Sequence, residues 1–359
     1  MRQMKQARIE QLKIESVIGP CPLEPPFSPE VHQYTVQLQS DIYGLRLLAE
    51  GEGKLQINGA PTAFSAPVAL PLSEEKADYA GLTYTILLEV EAEGKTSTTT
   101  ITVHRRPTAE GKEFSFRTFS DPQTGLTLPY ALHLPKDYDP KRAYPLLLVL
   151  HGAGQRTQEL EMVLKRYECA TVWVRDGAEG KEDMIVVAPQ VTKAQGEGWT
   201  EFTKVFDQVS EADVYRLSPW GESAFHLLEE MEKTYAVDLR RVYATGVSMG
   251  GFGSFALAVA HPDHFAAIVP VCGGVDPKAA EALQETPVWM FHAADDPLVD
   301  VSYFHTSLQA LQGAGVTVQA TLYPAGQVFY PNGHFSWTPA YADGAMRDWL
   351  RAQRKAGKE

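Results

Sequence analysis

The sequence predicts two folded regions of different class. Residues 1–108 read as a small all-β sandwich with an N-terminal lead-in, and residues 109–359 as an α/β domain with a mostly parallel sheet. Three observations carry this reading. Between Val31 and Val103 apolar residues recur with period two, and no helical stripe interrupts them. From Phe114 onward strand-like and helix-like stretches alternate. Between the two, near residues 105–113, "RRPTAEGKE" has the composition of a linker.

In the first region Tyr34, Val36 and Leu38 alternate with polar residues, and Leu55 and Ile57 do so just before the hairpin signal Asn58-Gly59. Tyr84, Ile86, Leu88 and Val90 alternate next, Glu93-Gly94 turns the chain, and the β-branched "TSTTTITVH" follows. Six or seven short strands with regular turns predict a β-sandwich. The proline-rich "PCPLEPPFSP" before them reads as a stiff, extended lead-in. "FSPEVHQYTVQL" and "TTTITVHRR" give the region a resemblance to the immunoglobulin-like or cadherin-like modules of bacterial extracellular enzymes.

In the second region "LPYALHLP" reads as a strand, and "YPLLLVLHG" is a continuous apolar run of the kind a strand needs when both its faces are buried. "MIVVAPQ", "RVYATG", "FAAIVPVCGG", "PVWMFHAA" and "VTVQATLYP" are five further strands, with helices expected over 158–167, 221–235, 249–260, 302–313 and 340–354. Such alternation places helices on both faces of the sheet. Residues 190–221 are long for a connector, and long loops in compact domains are usually functional or mobile, so this stretch is a candidate partial lid.

Composition excludes several classes of function. The net charge of −13 repels polyanions, which argues against nucleic-acid binding. No apolar run is long enough to span a bilayer. The first twenty residues are basic without a continuous apolar core, so as written they are no secretory signal. As written the chain therefore reads as cytoplasmic, or as secreted or periplasmic if a leader has been removed. Cys21, Cys169 and Cys272 are odd in number and widely spaced, which predicts buried free thiols rather than a disulfide framework or a zinc pair. No metal or cofactor motif is present: there is no H-E-x-x-H, no P-loop and no dinucleotide fingerprint.

One stretch carries chemistry. Gly246-Val247-Ser248-Met249-Gly250 fits G-x-S-x-G, between a predicted strand and a predicted helix. In that setting a sharp turn lifts the serine hydroxyl above the carboxyl edge of the sheet, and the helix N-terminus favours developing negative charge. A serine hydroxyl needs a base. Of ten histidines, His334 follows the last predicted strand in a loop at the same edge. His261 and His264 at the end of a helix, and His133 in a strand, have a cap or surface position as the simpler explanation. The base needs an acid to orient it. "FHAADDPLVD" offers Asp295, Asp296 and Asp300; Asp296 is the first choice and Asp295 the rival, since paired aspartates at a strand end also make turns. An oxyanion is expected to meet the backbone N–H of Met249 and a second N–H from the early loop "HGAG", Ala153 or alternatively Gly154. Trp199 and Trp337 are candidates for lining the substrate pocket, or equally for packing loop bases.

Together "LLLVLHGAGQR", "VVAPQ…GWTE", "VYATGVSMGGFGSFALAVAHPDHFAAIVPVCGG", "MFHAADDPLVDV" and "GHFSW" resemble the α/β-hydrolase esterases related to polyhydroxybutyrate depolymerases and feruloyl esterases, over residues 114–355. The resemblance implies Ser248 as nucleophile, Asp296 as acid and His334 as base. The family pattern H-G-x-x-D-x-x-V reads here His292-Ala293-Ala294-Asp295-Asp296-Pro297-Leu298-Val299, with Ala293 in place of the usual glycine, and supports Asp296. It implies a serine carboxylesterase acting on a small-molecule or polymeric ester without a cofactor. A peptidase or polyester depolymerase would use the same residues. A catalytically inactive binding or adhesion protein is the alternative of a different class. The N-terminal domain is a candidate for covering the site, binding a polymer or pairing subunits into a homo-oligomer.

Overall fold

The structure of the protein, a computed structural model, describes residues 7–72, 81–107, 113–165, 167–178, 180–193, 198–201 and 215–355. Two compact units divide it: Met1–Thr108 with Phe329–Pro331, and Ala109–Val328 with Asn332–Glu359.

The first unit is all-β. Its strands are β1 (Arg8–Ser16), β2 (Gly19–Pro20), β3 (Gln33–Leu38), β4 (Gly44–Glu52), β5 (Lys54–Ile57), β6 (Ala60–Thr62), β7 (Val68–Pro71), β8 (Leu82–Ala92) and β9 (Lys95–Arg105). They form a four-stranded sheet in the order β2-β1-β4-β7 and a five-stranded sheet in the order β3-β9-β8-β5-β6. The inward residues of both sheets, Leu12 and Leu47 from one, Val36, Ile86 and Ile101 from the other, share one apolar cluster, which makes the unit a sandwich. β1 is an addition to the expectation. Its register shifts between Ile9 and Gln11, so its buried residues Ile9 and Leu12 are three apart. A bulge of this kind hides a strand from a period-two reading.

The second unit is built on eight strands: β10 (Phe114–Ser120), β11 (Thr127–His133), β12 (Tyr144–Leu150), β13 (Ile185–Pro189), β14 (Val237–Val247), β15 (Ala267–Val271), β16 (Val288–Ala293) and β17 (Val318–Tyr323). Their order is β10-β11-β13-β12-β14-β15-β16-β17. β10 and β11 are antiparallel, and all pairings from β13 to β17 are parallel. Every residue of β12 is buried. Leu146, Leu148 and Leu150 enter one apolar cluster, Leu147 and Val149 the other, so alternate residues face opposite layers.

The helices are α1 (Met162–Lys165), α2 (Thr171–Ala178), α3 (Pro219–Thr234), α4 (Met249–Ala260), α5 (Ser302–Gly313), α6 (Trp337–Ala342) and α7 (Gly344–Ala352). Residues of α3, α4 and α5 pack into the first cluster, and residues of α1, α2, α6 and α7 into the second. The helix expected over 158–167 is a single turn, and that expected over 340–354 breaks at Asp343, whose carboxylate caps α7 by accepting from the Ala345 and Met346 N–H groups. Much of the candidate lid, 194–197 and 202–214, and residues 108–112 of the linker lie outside the described residues. All three cysteines are buried and none is in a disulfide. Among the described residues no helix is long and apolar enough to cross a membrane.

Candidate active site

β14 ends at Val247, α4 starts at Met249, and Ser248 alone makes the turn. Its φ of 54° and ψ of −117° lie where a side chain is strained. The turn also forces two glycines. A Cβ on Gly246 would stand 2.3 Å from the Gly250 carbonyl oxygen, and one on Gly250 would stand 2.0 Å from that of Leu150. The Ser248 N–H donates to the Val271 carbonyl at the end of β15, at 2.9 Å. Among the described residues the Ser248 hydroxyl makes no hydrogen bond with His334; such contacts often tighten only when substrate binds.

The acid comes from the loop after β16. Asp296 Oδ2 and Oδ1 lie 2.8 and 3.0 Å from His334 Nδ1. Oδ1 also accepts the Leu298 and Val299 N–H groups at 2.8 and 2.9 Å. Burial of this carboxylate opposes its ionisation. The bond to His334, the charge of that ring and the two N–H groups outweigh burial, and the Asp296 pKa is lowered. Asp295 has a different employment: its Oδ2 accepts the Gly326 N–H at 2.8 Å.

His334 sits in a short turn, Gly333–Ser336, capped by Asn332, whose side chain accepts the His334 N–H at 3.0 Å. A Cβ on Gly333 would lie 2.7 Å from the Asp295 carbonyl oxygen, so the histidine loop presses directly on the acid loop. Cys272 joins the segments. Its N–H donates to Phe291 of β16, and its thiol lies 3.8 Å from the His334 carbonyl. Cys272 Sγ, an Asp296 oxygen and a His334 nitrogen lie within 4.8 Å of one another. These are donor types that bind zinc. A cation there would have to displace the Asp296–His334 bond, and burial pushes the thiol pKa well up, against the thiolate a metal needs.

The loop after β12 closes the other side. A Cβ on Gly152 would come within 3.7 Å of Ser248 Cβ. Ala153 opens a 3-10 turn and Met249 opens α4, so neither N–H has an acceptor within its own helix. Side chains outside the sequence reading hold this loop. The Gly152 N–H donates to Gln155 Oε1 at 3.1 Å, while Gln155 Nε2 donates to the Met162 carbonyl and Gln190 Nε2 to the Gln155 carbonyl. His151 Nε2 accepts the Val191 N–H at 3.0 Å, which assigns the ring hydrogen to Nδ1, 2.8 Å from the Gly152 carbonyl. Complete burial takes the His151 pKa down to about 4, so the ring stays neutral at ordinary pH.

The two tryptophans pack loop bases. Trp199 is fully buried and its indole N–H donates to the His151 carbonyl at 2.9 Å, so it supports the loop from beneath and presents no face to a substrate. Trp337, also buried, sets its ring edge-to-face on His334 at 5.1 Å. His133 is buried rather than superficial: Nδ1 meets the Glu113 carbonyl at 2.9 Å and Nε2 meets Asp183 at 3.2 Å. His261 and His264 pair with Glu222 and Glu232. Aromatic residues the sequence reading passed over gather beside the elbow. Phe252, one turn beyond Ser248, packs with Val299, Tyr215 and Tyr303. A cavity of about 400 Å³ is lined by Tyr215, Tyr303, Ser302, Thr306, Asp276 and Lys278.

The family model named Esterase matches residues 123–332, more than half of the chain. The chain belongs to the Esterase family. Within it the chain is similar to poly(3-hydroxyalkanoate) depolymerase C of Paucimonas lemoignei, 29% identical over 36% of this chain and 28% of that one. It is similar also to feruloyl esterase C of Emericella nidulans, 25% identical over 47% of this chain and 55% of the other. The chain thus spans about half, or less, of the length of these curated relatives. The crystal structure of a thermostable esterase matches with a TM-score of 0.65 and 25% identity, over 96% of this chain and 91% of that one. The second unit is an α/β-hydrolase fold, as the resemblance implied.

Proposed function

We propose that this esterase-family chain is a serine carboxylesterase working through an acyl-enzyme. Ser248 attacks the ester carbonyl, and His334 accepts its proton and returns it to the leaving alcohol. Asp296 holds the imidazole and stabilises its charged form. The Met249 and Ala153 N–H groups receive the oxyanion, and water then releases the acid. The observation that carries this is the two-oxygen contact of buried Asp296 with His334 Nδ1, at the same sheet edge as a serine in a strained elbow and separated from it by β15. The aromatic group of Phe252, Tyr215 and Tyr303 supports short acyl or aryl esters as substrates.

Hydrolysis of a p-nitrophenyl ester tests the proposal. Ser248→Ala is expected to lower kcat by ~10⁴–10⁶ and to abolish labelling by a fluorophosphonate. Undiminished turnover in the variant overturns the assignment. A wild type that neither turns over nor labels supports the inactive binding-protein reading instead. Parallel assays on feruloyl, polyester and peptide substrates separate the esterase from a depolymerase or a peptidase.

A further inference from the structure

Beside the Asp296–His334 pair stands a second imidazole, which the proposed mechanism leaves unused. His292 lies near the end of β16 with its ring wholly buried. Its Nε2 is 2.9 Å from the Val299 carbonyl and 3.5 Å from Asp296 Oδ2. A carbonyl only accepts, so Nε2 carries the hydrogen. Among the described residues Nδ1 is buried with no hydrogen-bond partner. A ring protonated on both nitrogens would leave an N–H unpaired in the interior, so the ring is neutral, and burial lowers its pKa accordingly. The charged and titratable groups facing it are Asp296 and Asp300 from its own loop and His334 from the next. Phe304 of α5 stands across from it at 6.1 Å.

The geometry closes the acid loop twice. Asp296 Oδ1 accepts the Val299 N–H, and His292 Nε2–H binds the Val299 carbonyl. One residue is thus held on its two sides, by the acid and by the histidine. Oδ1 is committed to the loop backbone, while Oδ2 makes the shorter contact to His334 and faces His292. A leucine would fill the same volume with none of this.

We infer that His292 is a positioning residue for the triad carboxylate: its Nε2–H pins the Val299 carbonyl and faces Asp296 Oδ2, fixing the orientation in which Asp296 holds His334. The inference rests on the reading of Ser248, His334 and Asp296 as a catalytic triad.

The test is steady-state hydrolysis of p-nitrophenyl acetate across pH, with melting temperature and fluorophosphonate labelling, for His292→Leu, His292→Asn and His292→Gln. Glutamine places an amide N–H near the position of Nε2; asparagine is too short, and leucine has no donor. Leucine and asparagine are expected to lower kcat ~10–100-fold with KM little changed, the scale of a small misplacement of catalytic groups. The acid limb of kcat/KM should move to lower pH in both, because a loosely held carboxylate stabilises the His334 imidazolium less. Glutamine should restore most of kcat and return the acid limb. Wild-type kcat in the leucine variant overturns the inference, as does an unmoved acid limb in a folded variant. If the leucine variant does not fold, equal kcat and acid limbs for asparagine and glutamine overturn it just as well. Turnover that survives Ser248→Ala would instead overturn the triad itself.

Discussion

Two carboxylate–histidine pairs in the second unit have the same contact length and different surroundings. Asp296 meets His334 at 2.8 Å, and Asp121 meets His226 at 2.8 Å. Each carboxylate also binds its own turn. Asp296 takes the Leu298 and Val299 N–H groups, and Asp121 takes the Gln123 N–H and the Thr124 hydroxyl. Both carboxylates have lowered pKa values, that of Asp121 falling to about 2 because the bonds from His226, Thr124 and Gln123 outweigh burial. The difference is position. Asp121 caps the turn between antiparallel β10 and β11 and ties it to α3. Asp296 and His334 stand where parallel strands end, across β15 from the Ser248 elbow. A buried carboxylate–imidazole pair is therefore a structural fastener by default. Under the proposed function, what turns such a pair to chemistry is its edge of the sheet, which it shares with the Ser248 elbow.

Substitutions can break or sharpen this contrast. The largest effect is expected from Asp296→Asn, which keeps the shape but removes the charge and favours the wrong tautomer of His334. Its kcat should fall ~10⁴-fold, measured on the same ester. Gln155→Ala should act in the middle range. Loss of the brace on the Gly152 N–H loosens the oxyanion loop, and kcat should fall ~10-fold, less than removal of a donor itself. Asp121→Asn should leave kcat within about twofold but reduce stability to denaturant by about 2 kcal/mol at neutral pH, the scale of hydrogen bonds to a charged group. The sign of its pH dependence follows from the depressed pKa. Ionised Asp121 contributes fully above its ordinary value near 3.8 and loses that contribution as pH falls through about 2. The stability gap between wild type and variant should therefore close between pH 4 and 2. A large loss of kcat in Asp121→Asn would erase the distinction between the two pairs.

The buried strands and the elbow were legible because their signals are local. Both faces of β12 are buried, so it reads as one apolar run, and the steric demands at Gly246 and Gly250 write themselves as glycines at fixed spacing. The rest was hidden by contacts distant in sequence. β1 is masked by its bulge, and β10 is an edge strand with almost no buried face to pattern. Residues 160–178 split into two short helices, because Tyr167 and Glu168 both take positive φ between them. From the sequence Trp199 could equally line a pocket or pack a loop base. Its task, bonding the His151 carbonyl, is set by a loop almost fifty residues earlier. His292 stood in plain view inside a recognised pattern, but its role depends on the fold of the loop that follows it. Asp296 was the first choice over Asp295 already in the sequence; the structure adds the partner of each, His334 for one and the Gly326 N–H for the other.

The backbone at Ser248 has a consequence for any attempt to evolve this protein. Its positive φ is a conformation that glycine adopts freely and serine does not. Strain of that kind costs ~1–3 kcal/mol, more than the ~0.5–1 kcal/mol of extra chain entropy a glycine loses on folding. A screen for heat resistance alone would therefore draw this codon toward glycine and deliver a sturdier protein without its proposed nucleophile. Selection for stability and selection for turnover pull in opposite directions at one residue, so a library built on this scaffold has to hold position 248 fixed or score both properties together.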